Sequence, residues 1–206
     1  PPGHAPSDEP WEPFSPNTFL AASAGSTDTC AIDLAGGVFC LGLPLGSPDP
    51  IPFPPGVELQ SVELGNGHAC GLTDSGEAYC WGYNFNGQLG RGTESQWEEP
   101  APVATELRFS SLVAGTWFTC GLDTMGHIYC WGSNQANDVE STIPVLQDAG
   151  MSFEGFSASG RHVCGLDSVG ALYCWGSTAM DALGDGNDTG STSPVRVIDP
   201  TFVRIP

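Results

Sequence analysis

The chain has 206 residues, including 28 glycines and 18 prolines, with 10% aromatic side chains, which is typical of a turn-rich β protein able to bury its own core. It has 24 acidic residues but only five arginines and no lysine. The resulting formal net charge of −19 argues against binding to nucleic acid or anionic lipid. No apolar run approaches the roughly 20 residues of a membrane helix, so we expect no membrane insertion.

Residues 1–18 form a proline-rich segment with six prolines and no strand-like alternation of apolar residues. Two interpretations stay open for it. It is either an extended strap that carries Trp11 and Phe14 into a groove, or a flexible leader. The chain starts without a basic and then apolar signal sequence, so any export signal has been removed or lies outside this chain.

A thirteen-residue phrase recurs four times after this segment. The copies read CAIDLAGGVFCLG from Cys30, CGLTDSGEAYCWG from Cys70, CGLDTMGHIYCWG from Cys120 and CGLDSVGALYCWG from Cys164. Each copy has cysteine at positions 1 and 11, glycine at 7 and 13, and an aromatic residue at 10. The period of 40–50 residues is typical of propeller blades. It divides a repeat domain, 19–206, into units at about 19–58, 59–108, 109–152 and 153–200.

Each unit is predicted to contain about four short strands, which places the chain in the all-β class as a β-propeller. An apolar segment such as FSSLVAG gives the first strand, and a hairpin with the three-residue centre Thr124, Met125 and Gly126 gives the next two. A Pro-Val segment follows in three of the units and gives the fourth strand. The segment TFVRIP at 201–206 repeats a first strand, with Phe202 and Ile205 at matching places, and indicates a partial fifth unit. The units could close into a small propeller, form a partial arc or belong to a longer chain.

Within each hairpin the two cysteines are predicted to lie directly opposite one another on one face of the sheet, because strand side chains alternate. Directly opposed positions can come within the Cα separation of a disulfide. The repetition therefore selects four pairs: Cys30–Cys40, Cys70–Cys80, Cys120–Cys130 and Cys164–Cys174. Four such bonds require an oxidising compartment, so we expect an extracellular or cell-surface protein.

The stretch GNGHACGLTDSGEAYCWGYNFNGQLGRGT at 65–93 resembles a repeat of the regulator-of-chromosome-condensation family. The third unit lacks the G-Q-L-G motif, and the first has Leu41 in place of the tryptophan. The resemblance implies a β-propeller used as a protein-binding platform. The nucleotide exchange and chromatin binding of the founding member are not implied, since the acidic charge and the disulfides oppose them.

The sequence argues against several kinds of site chemistry. Cysteines ten residues apart do not fit a zinc site, and we expect no metal and no cofactor. His68 and His162 each precede a cysteine by two residues, which suggests a Cys–His nucleophile. However, the same slot holds Phe118 in the third unit, so it is interpreted as a packing position, and no catalytic residue is expected.

One acidic loop, DALGDGNDTG at 181–190, offers oxygen ligands for calcium: Asp181, Asp185, Asn187 and Asp188. It lacks the spacing of an EF-hand, and ordinary turn chemistry accounts for it better than calcium does. Asn187 also begins an Asn-Asp-Thr sequence, which is an acceptor for an N-linked glycan if the host glycosylates.

The tryptophans fall into two groups. Trp81, Trp131 and Trp175 recur at one slot and are predicted to pack between units. Trp97 and Trp117 lie outside that slot and are candidate interface residues, as are Trp11, Phe14, Phe202 and Ile205.

Two functions are compatible with these features, and neither is enzymatic. The first is an extracellular recognition or adhesion module that binds a protein partner. The alternative is a structural subunit of an extracellular fibre or surface layer, in which copies of the chain join head to tail by addition of terminal strands.

Overall fold

The computed structural model describes residues 18–47, 49–134, 139–176, 183–186 and 189–197. Residues 1–17 of the proline-rich segment and the whole partial fifth unit lie outside the described residues. Five of the candidate residues lie outside them as well: Trp11, Phe14, Asn187, Phe202 and Ile205. Within the described part every regular element is a strand, and the strands follow one another as antiparallel neighbours in four sheets. No helix in this part of the chain has the length and apolar character that crossing a membrane requires.

The strands are numbered in chain order. The first sheet contains β1 (Phe19–Ala24), β2 (Asp28–Asp33) and β3 (Val38–Gly42). The second contains β4 (Leu59–Leu64), β5 (His68–Thr73), β6 (Ala78–Asn84) and β7 (Ser95–Pro102). The third contains β8 (Phe109–Ala114), β9 (Phe118–Asp123), β10 (Ile128–Asn134) and β11 (Val139–Leu146). The fourth contains β12 (Gly155–Ser159), β13 (His162–Leu166), β14 (Leu172–Gly176) and β15 (Ser191–Arg196).

The all-β class and the repeating four-stranded design are confirmed, and the first unit differs because its sheet has three strands. The chain after β3 still runs beside it, since Ile51 N donates to Val38 O at 2.7 Å, as Val103 N donates to Ala78 O in the second unit. The sequence there is SPDPIP, and prolines have no N–H with which to extend a ladder of hydrogen bonds. The fourth strand of this unit is therefore reduced to isolated backbone contacts.

The hairpins carry the disulfides. In each unit the two cysteines are direct partners across the second and third strands, with Cα atoms 4.0–4.1 Å apart. The bonds join the predicted pairs, Cys30–Cys40, Cys70–Cys80, Cys120–Cys130 and Cys164–Cys174. Gly126 in the turn has a φ of 88°, a left-handed conformation that glycine adopts without strain.

The core lies between consecutive sheets. The face of one sheet that carries the disulfide packs against the face of the next sheet that carries the recurrent tryptophan, as Cys70 and Leu72 pack with Phe109 and Trp131. Equivalent clusters join the first unit to the second and the third to the fourth. The three recurrent tryptophans, Trp81, Trp131 and Trp175, are at most 1% exposed, as the sequence predicted.

The sheets have two ends that differ in their loops. We call one end the loop face; it contains the turns after the first strands, such as 64–68 and 114–118, and the loops before the fourth strands, such as 84–95. The opposite end, the hairpin face, contains the tight turns next to the disulfides, such as 123–127, and the connections between units.

Candidate functional site

Three aromatic side chains of the second unit cluster on the loop face, and we call Tyr83, Phe85 and Trp97 the aromatic patch. The rings of Tyr83 and Trp97 meet edge to face, with centroids 5.8 Å apart and an interplanar angle of 90°. The ring of Phe85 lies 5.5 Å from that of Tyr83 at an angle of 50°. Phe85 is 55% exposed and Trp97 is 39% exposed, so the patch offers apolar surface to solvent.

A bulge in β7 positions Trp97. In the second unit Gly82 pairs with Glu98, and Asn84 pairs with Ser95. Between these two pairs β6 has one residue and β7 has two, one of which is Trp97. In the third unit the corresponding pairs, Gly132 with Ser141 and Asn134 with Val139, enclose a single residue on each strand. A bulge bends its strand and redirects a side chain, which here is that of Trp97.

Tyr83 is held against the neighbouring turn. Its N–H donates to Gly67 O at 2.8 Å. Gly67 has a φ of 78°, and a Cβ atom there would lie 2.5 Å from the Tyr83 ring. Glycine is therefore required at this position both for the turn and for the close approach of the ring.

Glu98 ties the segment around Trp97 to the sheet. Four side chains donate to its carboxylate: Ser95 at 2.7 Å, Asn84 at 2.8 Å, Thr93 at 3.0 Å and Arg91 at 2.7 Å. Burial raises the pKa of Glu98, but these hydrogen bonds outweigh it and hold the pKa below its ordinary value. The carboxylate therefore remains charged and keeps the backbone on both sides of Trp97 in place.

Arg91 completes this anchor from a largely buried position. In addition to Glu98, its guanidinium donates to Glu99 O at 2.7 Å and to Cys80 O. Burial lowers the pKa of Arg91, and the pairing with Glu98 opposes that shift. The positive charge of Arg91 is therefore used within the fold and is not presented to solvent.

Trp117, the other tryptophan predicted for an interface, also lies on the loop face, in the turn between β8 and β9. It is half-buried, and the guanidinium of Arg161 from the fourth unit lies 5.8 Å from its ring centroid. The fold thus places Trp97 and Trp117 on the same face in neighbouring units. Whether they contact a partner stays a prediction.

The turns of all four units surround a polar cavity of about 350 Å³ on this face. Its walls are formed by Ser23–Ser26, Glu63–Asn66, Ala114–Thr116, Ala158 and Gly160. The walls are mostly backbone and small side chains, and burial raises the pKa of the one carboxyl group among them, that of Glu63.

The repeats can be compared with known proteins. Residues 60–88 and 109–137 match the regulator of chromosome condensation (RCC1) repeat, and a second profile of that repeat matches 75–122. Residues 60–137 of the chain therefore carry RCC1-type repeats. It is similar in structure to Prp20p from Saccharomyces cerevisiae, with 20% identity, a TM-score of 0.79, and coverage of 92% of this chain and 52% of that one.

Two other solved structures are similar to the RCC1-type array. Human WBSCR16 has 19% identity and a TM-score of 0.80 over 91% of this chain and 55% of its own. The ectodomain of the receptor kinase CR4 from Physcomitrella patens has 27% identity and a TM-score of 0.58 over 79% of this chain and 40% of its own. The chain therefore spans about half the length of these structures.

The histidine of the second RCC1-type repeat is structural. His68 is fully buried, its Nε2 lies 3.1 Å from Thr119 Oγ1, and burial lowers its pKa to about 4. All eight cysteines are in disulfides, so the Cys70 sulfur beside His68 is not a thiol. The packing interpretation of this slot is confirmed for His68 and for Phe118, which is 1% exposed.

The acidic loop of the fourth repeat is described only in part, and Asp181, Asn187 and Asp188 lie outside the described residues. Asp185 is the one candidate calcium ligand that the structure describes. Among the described residues no group of three histidine, cysteine, aspartate or glutamate side chains is placed to hold a metal ion.

Sequence reasoning did not single out Tyr83 and Phe85, because they lie inside the repeat motif WGYNFNGQLG. A signal was nevertheless present in the comparison of repeats. The third RCC1-type repeat has Ser133 and Gln135 at the corresponding places, so the fold does not require aromatic residues there.

Proposed function

We propose that this chain is an exported recognition module that binds a protein partner through its loop face. The observation that carries the proposal is the aromatic patch, which is exposed and mounted on a bulge anchored by Glu98. Exposed aromatic side chains held rigidly lose little entropy on binding, which is why tyrosine and tryptophan dominate the energetics of interfaces. The similar protein Prp20p is described by its binding to Gsp1p and histones, which supports a propeller as a binding platform.

An extracellular or cell-surface location is part of the proposal. The four disulfides require an oxidising environment, and the similar CR4 structure is a receptor-kinase ectodomain. The net charge of −19 also favours a partner that is not nucleic acid. Adhesion to a surface protein and capping of a secreted protein are both compatible with this module.

We further propose that the module acts by contact and not by catalysis. His68 is buried and hydrogen-bonded to Thr119, and the adjacent sulfur of Cys70 is held in a disulfide. The slot that suggested a Cys–His nucleophile is thus occupied by structural groups.

The experiment compares variants of the two faces in a binding assay against purified secreted and cell-surface proteins. Trp97→Ala and Trp117→Ala alter the loop face, whereas Met125→Ser alters an exposed residue in a turn of the hairpin face. We expect a saturable partner whose binding weakens with the loop-face variants and is unchanged in Met125→Ser. Binding that is lost only in Met125→Ser would contradict the proposal.

A second candidate function is a structural subunit that assembles head to tail, and one observation favours it. Among the described residues, the first and fourth sheets carry complementary halves of the interface that joins the units internally. Phe19 is 46% exposed whereas its equivalent Phe109 is 2% exposed, and Leu172 is 38% exposed whereas its equivalent Ile128 is fully buried. The tryptophan-side face of the first unit could therefore pack on the disulfide face of the fourth unit of another copy.

Native mass and light scattering over a range of concentrations would test this assembly. Polymers that dissociate when Leu172 is changed to Glu would support the structural subunit. A discrete particle of constant mass, unaffected by that variant, would exclude self-assembly and leave the recognition module.

A further inference from the structure

We propose that the aromatic patch recognises an arginine side chain presented by a basic segment of the partner protein. This inference rests on the proposed function, namely that the loop face binds protein. It adds the chemical class of the group that is bound, an arginine side chain, and the residues that bind it.

The patch is not required by the fold. Tyr83 and Phe85 correspond to Ser133 and Gln135 of the third repeat, which forms the same four-stranded sheet without aromatic residues at these places. The bulge that positions Trp97 lies between Gly82 and Asn84. In the third unit the ladder is regular at that place, and the extra residues of β11 lie earlier in the ladder, between Cys130 and Gly132. The second unit therefore carries three aromatic residues and a bulge that serve something other than packing between units.

The arrangement of the rings suits a planar cation. Tyr83 and Trp97 are perpendicular and Phe85 is inclined to Tyr83, so the exposed rings point their π faces in different directions. A cation within about 6 Å of a ring centroid is attracted by the negative face of the ring. Arginine gains more than lysine, because its guanidinium is planar and stacks on aromatic rings.

The charges around the patch favour a cation as well. Glu94 and Glu99 are exposed and lie on either side of Trp97 in the chain. The nearby positive charge of Arg91 is neutralised by Glu98, with the two side chains 2.7 Å apart. With a net charge of −19 and no lysine, the chain as a whole attracts basic segments and repels acidic ones.

The same chain contains a precedent for this contact. On the loop face, the guanidinium of Arg161 lies 5.8 Å from the ring centroid of Trp117. Trp97 has no such partner among the described contacts, which join it to Tyr83. The proposed ligand would place on the aromatic patch the group that Arg161 already places on Trp117.

The test uses the full 206-residue chain with its disulfides intact and two peptides of equal length. The probe is acetyl-Gly-Arg-Gly-Arg-Gly-amide, and the matched control replaces both arginines by citrulline, which has the same shape without the charge. Binding is followed by NMR at the indole N–H of Trp97, assigned with Trp97→Phe. We expect saturable shifts with the arginine peptide and at least tenfold weaker binding of the citrulline peptide.

Variants then locate the contact. Binding by the variants is measured by titration calorimetry, because Trp97→Ala removes the indole signal. We expect Trp97→Ala and Tyr83→Ser to weaken binding of the arginine peptide by about tenfold, whereas Trp117→Ala leaves it unchanged. Glu94→Gln combined with Glu99→Gln should weaken binding by about threefold at low salt and have little effect at high salt, because exposed charges are screened. Circular dichroism confirms that each variant is folded.

Some outcomes would overturn the inference. The inference fails if the citrulline peptide binds as tightly as the arginine peptide, or if Trp97→Ala does not change binding of the arginine peptide. It also fails if the patch binds neutral oligosaccharides and not the arginine peptide. If a purified partner still requires Trp97 while the arginine peptide does not bind, the arginine inference fails and the proposed function stands. If the arginine peptide binds the patch but no protein partner depends on the loop face, the proposed function fails instead.

Discussion

His68 of the second unit and Thr119 of the third form a hydrogen bond across the interface between their sheets, with Nε2 and Oγ1 3.1 Å apart. Thr119 donates its hydroxyl proton to Gln88 O at 2.9 Å. In the hydrogen bond with His68, the Thr119 hydroxyl oxygen is therefore the acceptor, and His68 Nε2 carries the proton and donates it. The loop that contains Gln88 belongs to the second unit. The chain of two hydrogen bonds therefore fastens the loop, the second sheet and the third sheet to one another.

We expect acid to weaken this connection. Burial lowers the pKa of His68 from its ordinary value of 6.5 to about 4, so the folded protein keeps the ring neutral where the unfolded chain would bind a proton. The free energy of unfolding should therefore fall as the pH decreases from 6.5 to 4, by about 3 kcal/mol. Urea unfolding at a series of pH values measures this slope.

Phe is the matched control, because Phe118 fills the same slot in the third unit. His68→Phe should remove this part of the pH dependence and leave that of the carboxyl groups. An unchanged slope between pH 6.5 and 4 in His68→Phe would show that His68 is not the group responsible.

His127 should titrate in the opposite direction. Its Nδ1 lies 2.7 Å from Asp148 Oδ2, and this hydrogen bond is the main cause of a pKa above the ordinary value of 6.5. The stabilisation that it provides is fully present below pH 6.5 and is lost as the pH rises through the raised pKa. NMR titration of the His127 ring should show the raised pKa, and Asp148→Asn should lower it. A pKa that does not change in Asp148→Asn would contradict the assignment of Asp148 as the cause.

Glu98→Gln should loosen the loop that carries Trp97. The substitution leaves the largely buried guanidinium of Arg91 without its carboxylate, and we expect the free energy of unfolding to fall by about 2 kcal/mol. The matched control is Glu99→Gln, because Glu99 is exposed and Arg91 is hydrogen-bonded to its backbone carbonyl, which the substitution keeps, and not to its carboxylate. Hydrogen exchange of residues 91–98 should rise in Glu98→Gln alone. Equal exchange in both variants would mean that Glu98 does not anchor the loop.

Reduction should begin at the disulfide of the fourth unit. Cys164 is half-buried, whereas Cys30, Cys70 and Cys120 are fully buried beneath the following unit. Because thiol–disulfide exchange requires access to a sulfur, a mild reductant should open Cys164–Cys174 first. Alkylation and peptide mass spectrometry give the order. Loss of Cys120–Cys130 before Cys164–Cys174 would contradict this expectation.

The parts of the fold that could be predicted from sequence are those in which the repeats agree. Cysteines at matching positions of four hairpins predicted the disulfides, because opposed residues in a hairpin share a face. Trp81, Trp131 and Trp175 occupy one slot and proved to be buried for one reason, the contact between consecutive sheets.

The features that could not be predicted arise where one unit departs from the others or where two units meet. The bulge beside Trp97 depends on the register of β6 and β7, which the sequence of β7 alone does not specify. The contact of His68 with Thr119 joins residues 51 positions apart in different repeats, so comparing slots shows the burial of His68 but not its partner. The first unit lacks a regular fourth strand because prolines there cannot donate backbone hydrogen bonds. The sequence alone does not show which backbone N–H groups the sheet would need at those positions.

The packing of each disulfide face on the tryptophan face of the next unit also gives the array a direction. Because every junction is built from the same two kinds of surface, a unit can be duplicated or deleted as a whole without a new interface having to evolve. The loops at the ends of the sheets add individual residues to these junctions, such as Leu89, whereas their exposed positions can differ from one unit to the next. Repeats that share one packing scheme can therefore carry different exposed residues, and the second unit carries Tyr83, Phe85 and Trp97.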